Sequence, residues 1–189
     1  MTHVNITMAS EAVSAAGGAV LEIDSCFIHD GAGIGINIEN STVSIYECKI
    51  SDNSSGIHIA DSDAEITDCE IRDNGIYGIL LEENESGTEE PYDVTVEGCN
   101  IAANYNNGIV ISWRGNPAIN YNSIQYNGTD SGGYDMKMLQ YFNDAGVNAR
   151  YNYWGVTSDA EIRDVIFDGS DYSQPQIYVD FSGWLMSPP

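Results

Sequence analysis

The chain is predicted to be an all-β solenoid, about six stacked coils of short parallel strands closed by a C-terminal helix and strand cap. Three observations predict it. Six positions recur in one setting: Cys26, Cys48, Cys69, Cys99, Asn122 and Asn152. Each stands three residues after an apolar or small position (Ile23 in the first case, Ala149 in the last) and two before another (Ile28 in the first, Trp154 in the last), at spacings of 22, 21, 30, 23 and 30. A second register of period two follows each of the first four, running Gly35-Ile36-Asn37-Ile38, Gly56-Ile57-His58-Ile59, Gly78-Ile79-Leu80-Leu81 and Gly108-Ile109-Val110-Ile111. Alternation of this kind marks short strands. Between the two registers stand Asn53, Asn74, Asn104 and Asn127, with Gly31 in the same place in the first coil. Asn and Gly suit sharp corners because they tolerate left-handed backbone.

The elements follow in order. Val4–Met8 reads as a strand of a partial first coil, residues 1–19, and Ala9–Ala16 reads as a short helix broken by Gly17-Gly18. The coils run to residue 157. No coil can bury its apolar face alone, so the coils stack at the roughly 4.8 Å spacing of neighbouring strands. Stacking lines up Ile36, Ile57, Ile79, Ile109 and Met136 in one inward ladder and Ile38, Ile59, Leu81, Ile111 and Met138 in a second. Ile45, Ile66, Val96 and Ile119 form a third, and the Cys/Asn column a fourth. The two longest spacings locate insertions between Leu81 and Val94 and between Asn127 and Val147, and solenoid insertions form loops. Residues 158–189 form the cap. Ser158 and Glu161 make a capping box for a helix over 159–167, with Ile162, Val165 and Ile166 as its apolar side. Ile177–Phe181 alternates like a strand, and Trp154 and Trp184 pack the cap.

The repeated pattern Ile-x-x-Cys/Asn-x-Ile-x-x-Asn-x-x-Gly-Ile-x-Ile over about residues 20–157 resembles the right-handed parallel β-helix repeat family, the pectate-lyase-like superfold. Asn152-Tyr-Trp-Gly155 followed by a helix and Val179-Asp-Phe181 is similar to the terminal cap of β-helix repeat proteins on microbial surfaces. The resemblance implies an extracellular or cell-surface location and a module of a longer surface protein. It fixes no activity, because the fold hosts many.

The chain carries 29 acidic and 6 basic residues, a formal charge of -23. That field repels nucleic acid, and with no 18-residue apolar run in the sequence membrane insertion is not expected. It also repels a polyuronate unless calcium bridges the two. The four cysteines share an inward slot, where parallel side chains suit disulfide torsions poorly, so buried free thiols are expected. Five N-x-S/T triplets start at Asn5, Asn40, Asn53, Asn84 and Asn127 and are glycosylation acceptors if the protein is exported.

Two functional classes remain. The first is a non-enzymatic extracellular module with a structural or carbohydrate-binding role. Trp113, Arg114, Tyr134 and Tyr141 are its ligand candidates, because aromatic faces stack on sugar rings and polar neighbours supply hydrogen bonds. The second is a carbohydrate-active enzyme. Lyases of the resembled family pair calcium-binding carboxylates with an Arg or Lys base, and hydrolases cluster Asp. This points to Arg150, Glu97 and Lys137 as catalytic candidates. Glu97 and Arg150 share a face two coils apart, roughly 9–10 Å. No outward column concentrates carboxylates as glycoside cleavage requires. No cofactor is required. Any calcium would sit on the acidic insertion, at Glu82, Glu83, Glu85, Glu89, Glu90 and Asp93.

Overall fold

The computed structural model describes residues 1–83, 92–112, 117–139, 146–168, 171 and 178–189. Three all-parallel sheets wind around one core. Each coil visits them in turn. Sheet I has six strands, from Asn5–Thr7 to Ser123–Gln125. Sheet II has seven, from Glu11–Ala16 to Ile166–Phe167, and sheet III seven, from Val20–Asp24 to Val179–Asp180. Every strand pairs with its counterpart one coil away, so side chains of equal rank stack. Ile36 faces Ile57, which faces Ile79, then Ile109 and Met136. Ile45, Ile66, Val96 and Ile119 align in the same way. All these side chains are fully buried, each worth roughly 1.5–3 kcal/mol on removal from water.

The corner between sheets I and II is held by an asparagine ladder. Asn74 Oδ1 accepts from both Asn53 N (3.1 Å) and Asn53 Nδ2 (3.3 Å), while Asn74 Nδ2 donates back to Ile50 O at 3.3 Å and on to Asn104 Oδ1 at 3.0 Å. Asn104 repeats this with Asn127. The amides thus satisfy backbone groups that a buried corner would leave unpaired. Together with the backbone carbonyls of the next coil, they explain Gly35, Gly56, Gly78 and Gly108 near the start of four sheet II strands. A Cβ at Gly78 would stand 2.7 Å from Asn104 Nδ2, and one at Gly108 2.7 Å from Asn127 Nδ2. In the following coil the glycine rank is taken by Asp135, whose Oδ1 accepts from Asn127 N and Nδ2, both at 2.8 Å. The ladder therefore ends on a carboxylate. Burial pushes that carboxyl up to about 7, against the two hydrogen bonds from Asn127 that favour its charge.

The left-handed residue at this corner is not the asparagine. It is the residue before it: Asp30, Asp52, Asp73, Ala103 and Tyr126 have φ between +55° and +61°. The asparagines point inward instead. Two glycosylation triplets fall away with them, because Asn53 and Asn127 are buried and their Nδ2 atoms donate to Ile28 O and Ile101 O.

The Cys/Asn column lines the opposite corner, between sheets III and I. All four cysteines are free and buried. Cys26 N donates to Cys48 Sγ at 3.3 Å, and Cys99 N donates to Asn122 Oδ1 at 2.9 Å, so thiol and amide do the same work. Contact with Cys69 and burial raise the Cys48 thiol. Cys69 is favoured as thiolate by Cys48, yet its hydrogen bond to Cys99 and its burial push it up to about 12. Cys48 and Cys69 are thereby held as protonated thiols.

Two expected elements differ. Residues Glu11–Ala16 form a strand, not a helix, paired with Ile34–Glu39. Pairing to an existing sheet overrides the alanines' helix propensity. The cap helix spans Asp159–Val165 and is shorter than expected, because Ile166–Phe167 leaves it to pair with Met136 and Lys137. Its capping box is as expected: Ser158 Oγ accepts from Glu161 N at 3.4 Å and donates to the Glu161 carboxylate at 2.8 Å. Trp154 is buried in the core, and Trp184 Nε1 donates to Asp159 Oδ1 at 3.0 Å.

Two outcomes follow. Asn104→Ala strands the donors of Asn74 and the carbonyl of Ile71, and urea unfolding is expected to show a loss of about 3 kcal/mol. The Asp135 carboxyl has a folded value of about 7, above its ordinary 3.8. Its contribution to stability is therefore fully present below about pH 4 and lost as pH rises through about 7. Across that window Asp135→Asn is expected to flatten the fall in stability by a few kcal/mol, read by denaturant unfolding at matched pH values.

Candidate functional site

The left-handed corner residues point outward, one per coil, and carry the surface features of sheet I. At the corner between sheets III and I the column reads Ser25, Glu47, Asp68, Gly98, Tyr121 and Tyr151, with φ from +51° to +67°. At the corner between sheets I and II it ends Asp73, Ala103, Tyr126. The coil through strand Asn100–Ala102 thus places its two smallest corner residues, Gly98 and Ala103, at opposite ends of one strand. An aspartate stands on the coil before each, and a tyrosine on the coil after.

Each small residue opens a notch. The one over Ala103 is a groove of about 450 Å³, lined by Asp73, Tyr105, Tyr126, Thr129 and Asp130 among others. The one over Gly98 is about 430 Å³, lined by Thr67, Asp68, Glu97 and Tyr121, with Pro189 beside them. The tyrosines are exposed: Tyr126 is 61% accessible, Tyr105 55% and Tyr121 45%. Tyr121 is stacked on Tyr151 with ring centroids 5.1 Å apart, and Tyr151 in turn lies against Gly183. A left-handed backbone costs a side-chain-bearing residue roughly 1–2 kcal/mol, so tyrosine at three such positions is an expensive choice. Strain of this kind clusters at functional sites.

Charge on this face is uneven. Arg72, in register with Ala102 beside the Ala103 notch, is already engaged, its Nε donating to Asp73 Oδ2 at 2.5 Å and its Nη1 to Glu70 at 3.2 Å. Asp73, then Glu70, holds its guanidinium above the ordinary value. Asp130 lines the notch without an ion pair among the described residues.

The expected catalytic residues do not converge. Arg150 lies at the end of sheet III, its Nε donating to Asp180 Oδ2 at 2.6 Å. Asp180 raises it, and it lowers Asp180. Glu97 shares its outward column, separated by Asn120, whose Oδ1 accepts from Arg150 N. Lys137 is on sheet II, its Nζ 5.5 Å from the ring of Phe167 and 5.9 Å from that of Tyr134. Tyr134 is thereby engaged with Lys137 and Phe167, away from the notches. Trp113, Arg114 and Tyr141 lie outside the described residues, as do Glu85, Glu89 and Glu90. Of the calcium candidates that are described, Glu82 bonds to His58, Glu83 is buried, and Asp93 N donates to Asp63. Among the described residues no three His, Cys, Asp or Glu groups are placed to hold a metal ion, and no helix is long and apolar enough to cross a membrane.

Sheet II carries a second polar array. Glu11 accepts from Asn37 Nδ2 at 2.9 Å, Asn37 Oδ1 meets His58 Nδ1 at 3.0 Å, and His58 Nε2 meets Glu82 Oε2 at 3.1 Å. Tyr77, in a neighbouring column, is raised by burial.

The ligand candidates read from the sequence include neither Tyr105 nor the aspartates of the notches. The signal was present one position before the Cys/Asn and Asn columns, where Asp-Gly-Tyr and Asp-Ala-Tyr recur in parallel.

The family model described as right handed beta helix region matches residues 1–153, and the chain belongs to that family. No curated protein and no solved structure matches it.

The backbone strain at Tyr126 can be relieved by one substitution. Glycine suits a φ of +61°, and the Tyr126 ring is mostly in solvent, so Tyr126→Gly is expected to unfold within about 1 kcal/mol of the parent. A ring acting as scaffold would cost several times that in the same thermal or urea measurement.

Proposed function

We propose that this chain is a non-enzymatic extracellular or cell-surface β-helix module that binds carbohydrate. The observation that carries this reading is the pair of notches on sheet I, each with an exposed tyrosine on one lip and an aspartate on the other. Tyrosine faces offer apolar platforms of low conformational cost, and carboxylates accept hydroxyl hydrogen bonds. The formal charge of -23 favours a neutral glycan over an anionic one. The dispersal of Arg150, Glu97 and Lys137 over two sheets supports the non-enzymatic reading.

One observation favours a second reading. Asp68 and Glu97 line the same notch, and two carboxylates beside a sugar-sized groove are the elements of a glycoside hydrolase.

The test is a polysaccharide and glycan screen with and without calcium, scored for binding and for products. Binding without products is expected, independent of calcium, and weakened about tenfold in Tyr126→Asn and Tyr105→Ala, near the value of one aromatic contact. Turnover that disappears in Glu97→Gln would replace the binding reading with the hydrolase.

A further inference from the structure

We infer that the two notches are the ends of one trough, and that its ligand is an extended neutral oligosaccharide lying along strand Asn100–Ala102, across the solenoid axis. The inference rests on the carbohydrate reading above and names the length and direction of the ligand.

Both notches belong to the same coil. Gly98 and Ala103 are five residues apart with strand Asn100–Ala102 between them, at most roughly 16 Å at the rise of a strand. Between them the outward side chains are Asn100 and Ala102, since Ile101 is buried in the core. Ala102 is small, so the floor is low beside Ala103, and Asn100 is the one larger side chain on it. The wall on the preceding coil is charged: Glu70 pairs with Asn100 and Arg72 with Ala102 in register, between Asp68 and Asp73. The wall on the following coil is neutral: Ser123 and Gln125 pair with the same two residues, between Tyr121 and Tyr126. Gln125 Nε2 donates to Ser123 Oγ at 3.0 Å, which braces that wall. One lip therefore offers carboxylates and a guanidinium, the other aromatic rings and an amide, along the whole strand.

A compact monosaccharide fills one notch. Only a chain running with the strand meets both tyrosines, and the second contact then forms at a high effective concentration. The carboxylates at both ends disfavour uronic acids.

The experiment titrates the intact chain with neutral β-1,4-glucan, β-1,3-glucan and β-1,4-mannan oligomers, from disaccharide to hexasaccharide, by calorimetry, and maps amide shifts by NMR. For the series that binds, affinity is expected to climb at least about tenfold with length and then level off. Shifts are expected at residues 98–103 with the long oligomers and at one notch only with the disaccharide. Tyr121→Asn and Tyr126→Asn, asparagine being tolerant of left-handed backbone, are each expected to remove the gain with length. Asn100→Trp, which raises the floor between the notches, is expected to weaken the hexasaccharide and spare the disaccharide. Circular dichroism and the unfolding midpoint show that each variant is folded. Affinity that does not change with length, or loss confined to one tyrosine, overturns the trough and leaves the binding module standing. Absence of binding to all three series overturns both.

Discussion

The fold depends on one repeated hydrogen-bonding unit, the corner asparagine that accepts from the coil before it and donates to the coils on either side. A parallel stack has to satisfy backbone groups at every turn without water. At this corner one amide per coil does so. Its demands propagate. The sheet II strand of the preceding coil must carry a residue without a Cβ where the amide and the next coil's backbone approach it, which is why Gly35, Gly56, Gly78 and Gly108 recur. The preceding residue must turn left-handed, which throws its side chain outward. The ladder must also stop, and Asp135, at the first position where no further amide follows, supplies the acceptor without continuing the column.

The opposite corner reaches the same end with different chemistry. Thiols serve there for four coils and amides for the last two. A thiol is a weak acceptor and a small hydrophobe, so it fits a slot that is mostly about packing. Asn122 and Asn152 restore full hydrogen bonds where the coils approach the cap: Asn152 Oδ1 accepts from Asn122 N at 2.8 Å, and Asn152 Nδ2 donates to Ile119 O and Ala149 O. The cysteines therefore belong to the architecture, and their buried position leaves the surface chemistry to the residues just before them.

Much of the architecture was legible because it repeats. The inward ladders and the Ser158/Glu161 box each announce themselves by residue type at fixed spacing, while the two insertions expected between Leu81 and Val94 and between Asn127 and Val147 fall largely outside the described residues. The first coil was not legible in the same way. Glu11–Ala16 lacks the Gly-Ile opening, and its alanines mimic a helix until the neighbouring strand claims them. The site was harder for a physical reason. Outward corner positions carry no common residue, since nothing in the stack constrains them, so Asp68, Gly98 and Tyr121 look unrelated in the sequence. Their place one position before the Cys/Asn column is what aligns them, and the left-handed backbone shows why that place faces outward. The cationic and acidic residues that drew attention first, Arg150 and Lys137 above all, turn out to be occupied by Asp180 and by aromatic rings.

The outward corner columns behave as a ruler. The inward amide or thiol fixes the backbone, so the side chain before it can be exchanged with little cost to the stack, and successive marks fall about 4.8 Å apart. Reading down the ruler gives a file of side chains at strand pitch, as in the Tyr121 and Tyr151 pair. Reading across it gives two marks per coil, a strand's length apart. A solenoid built this way can change what it displays by editing marks singly.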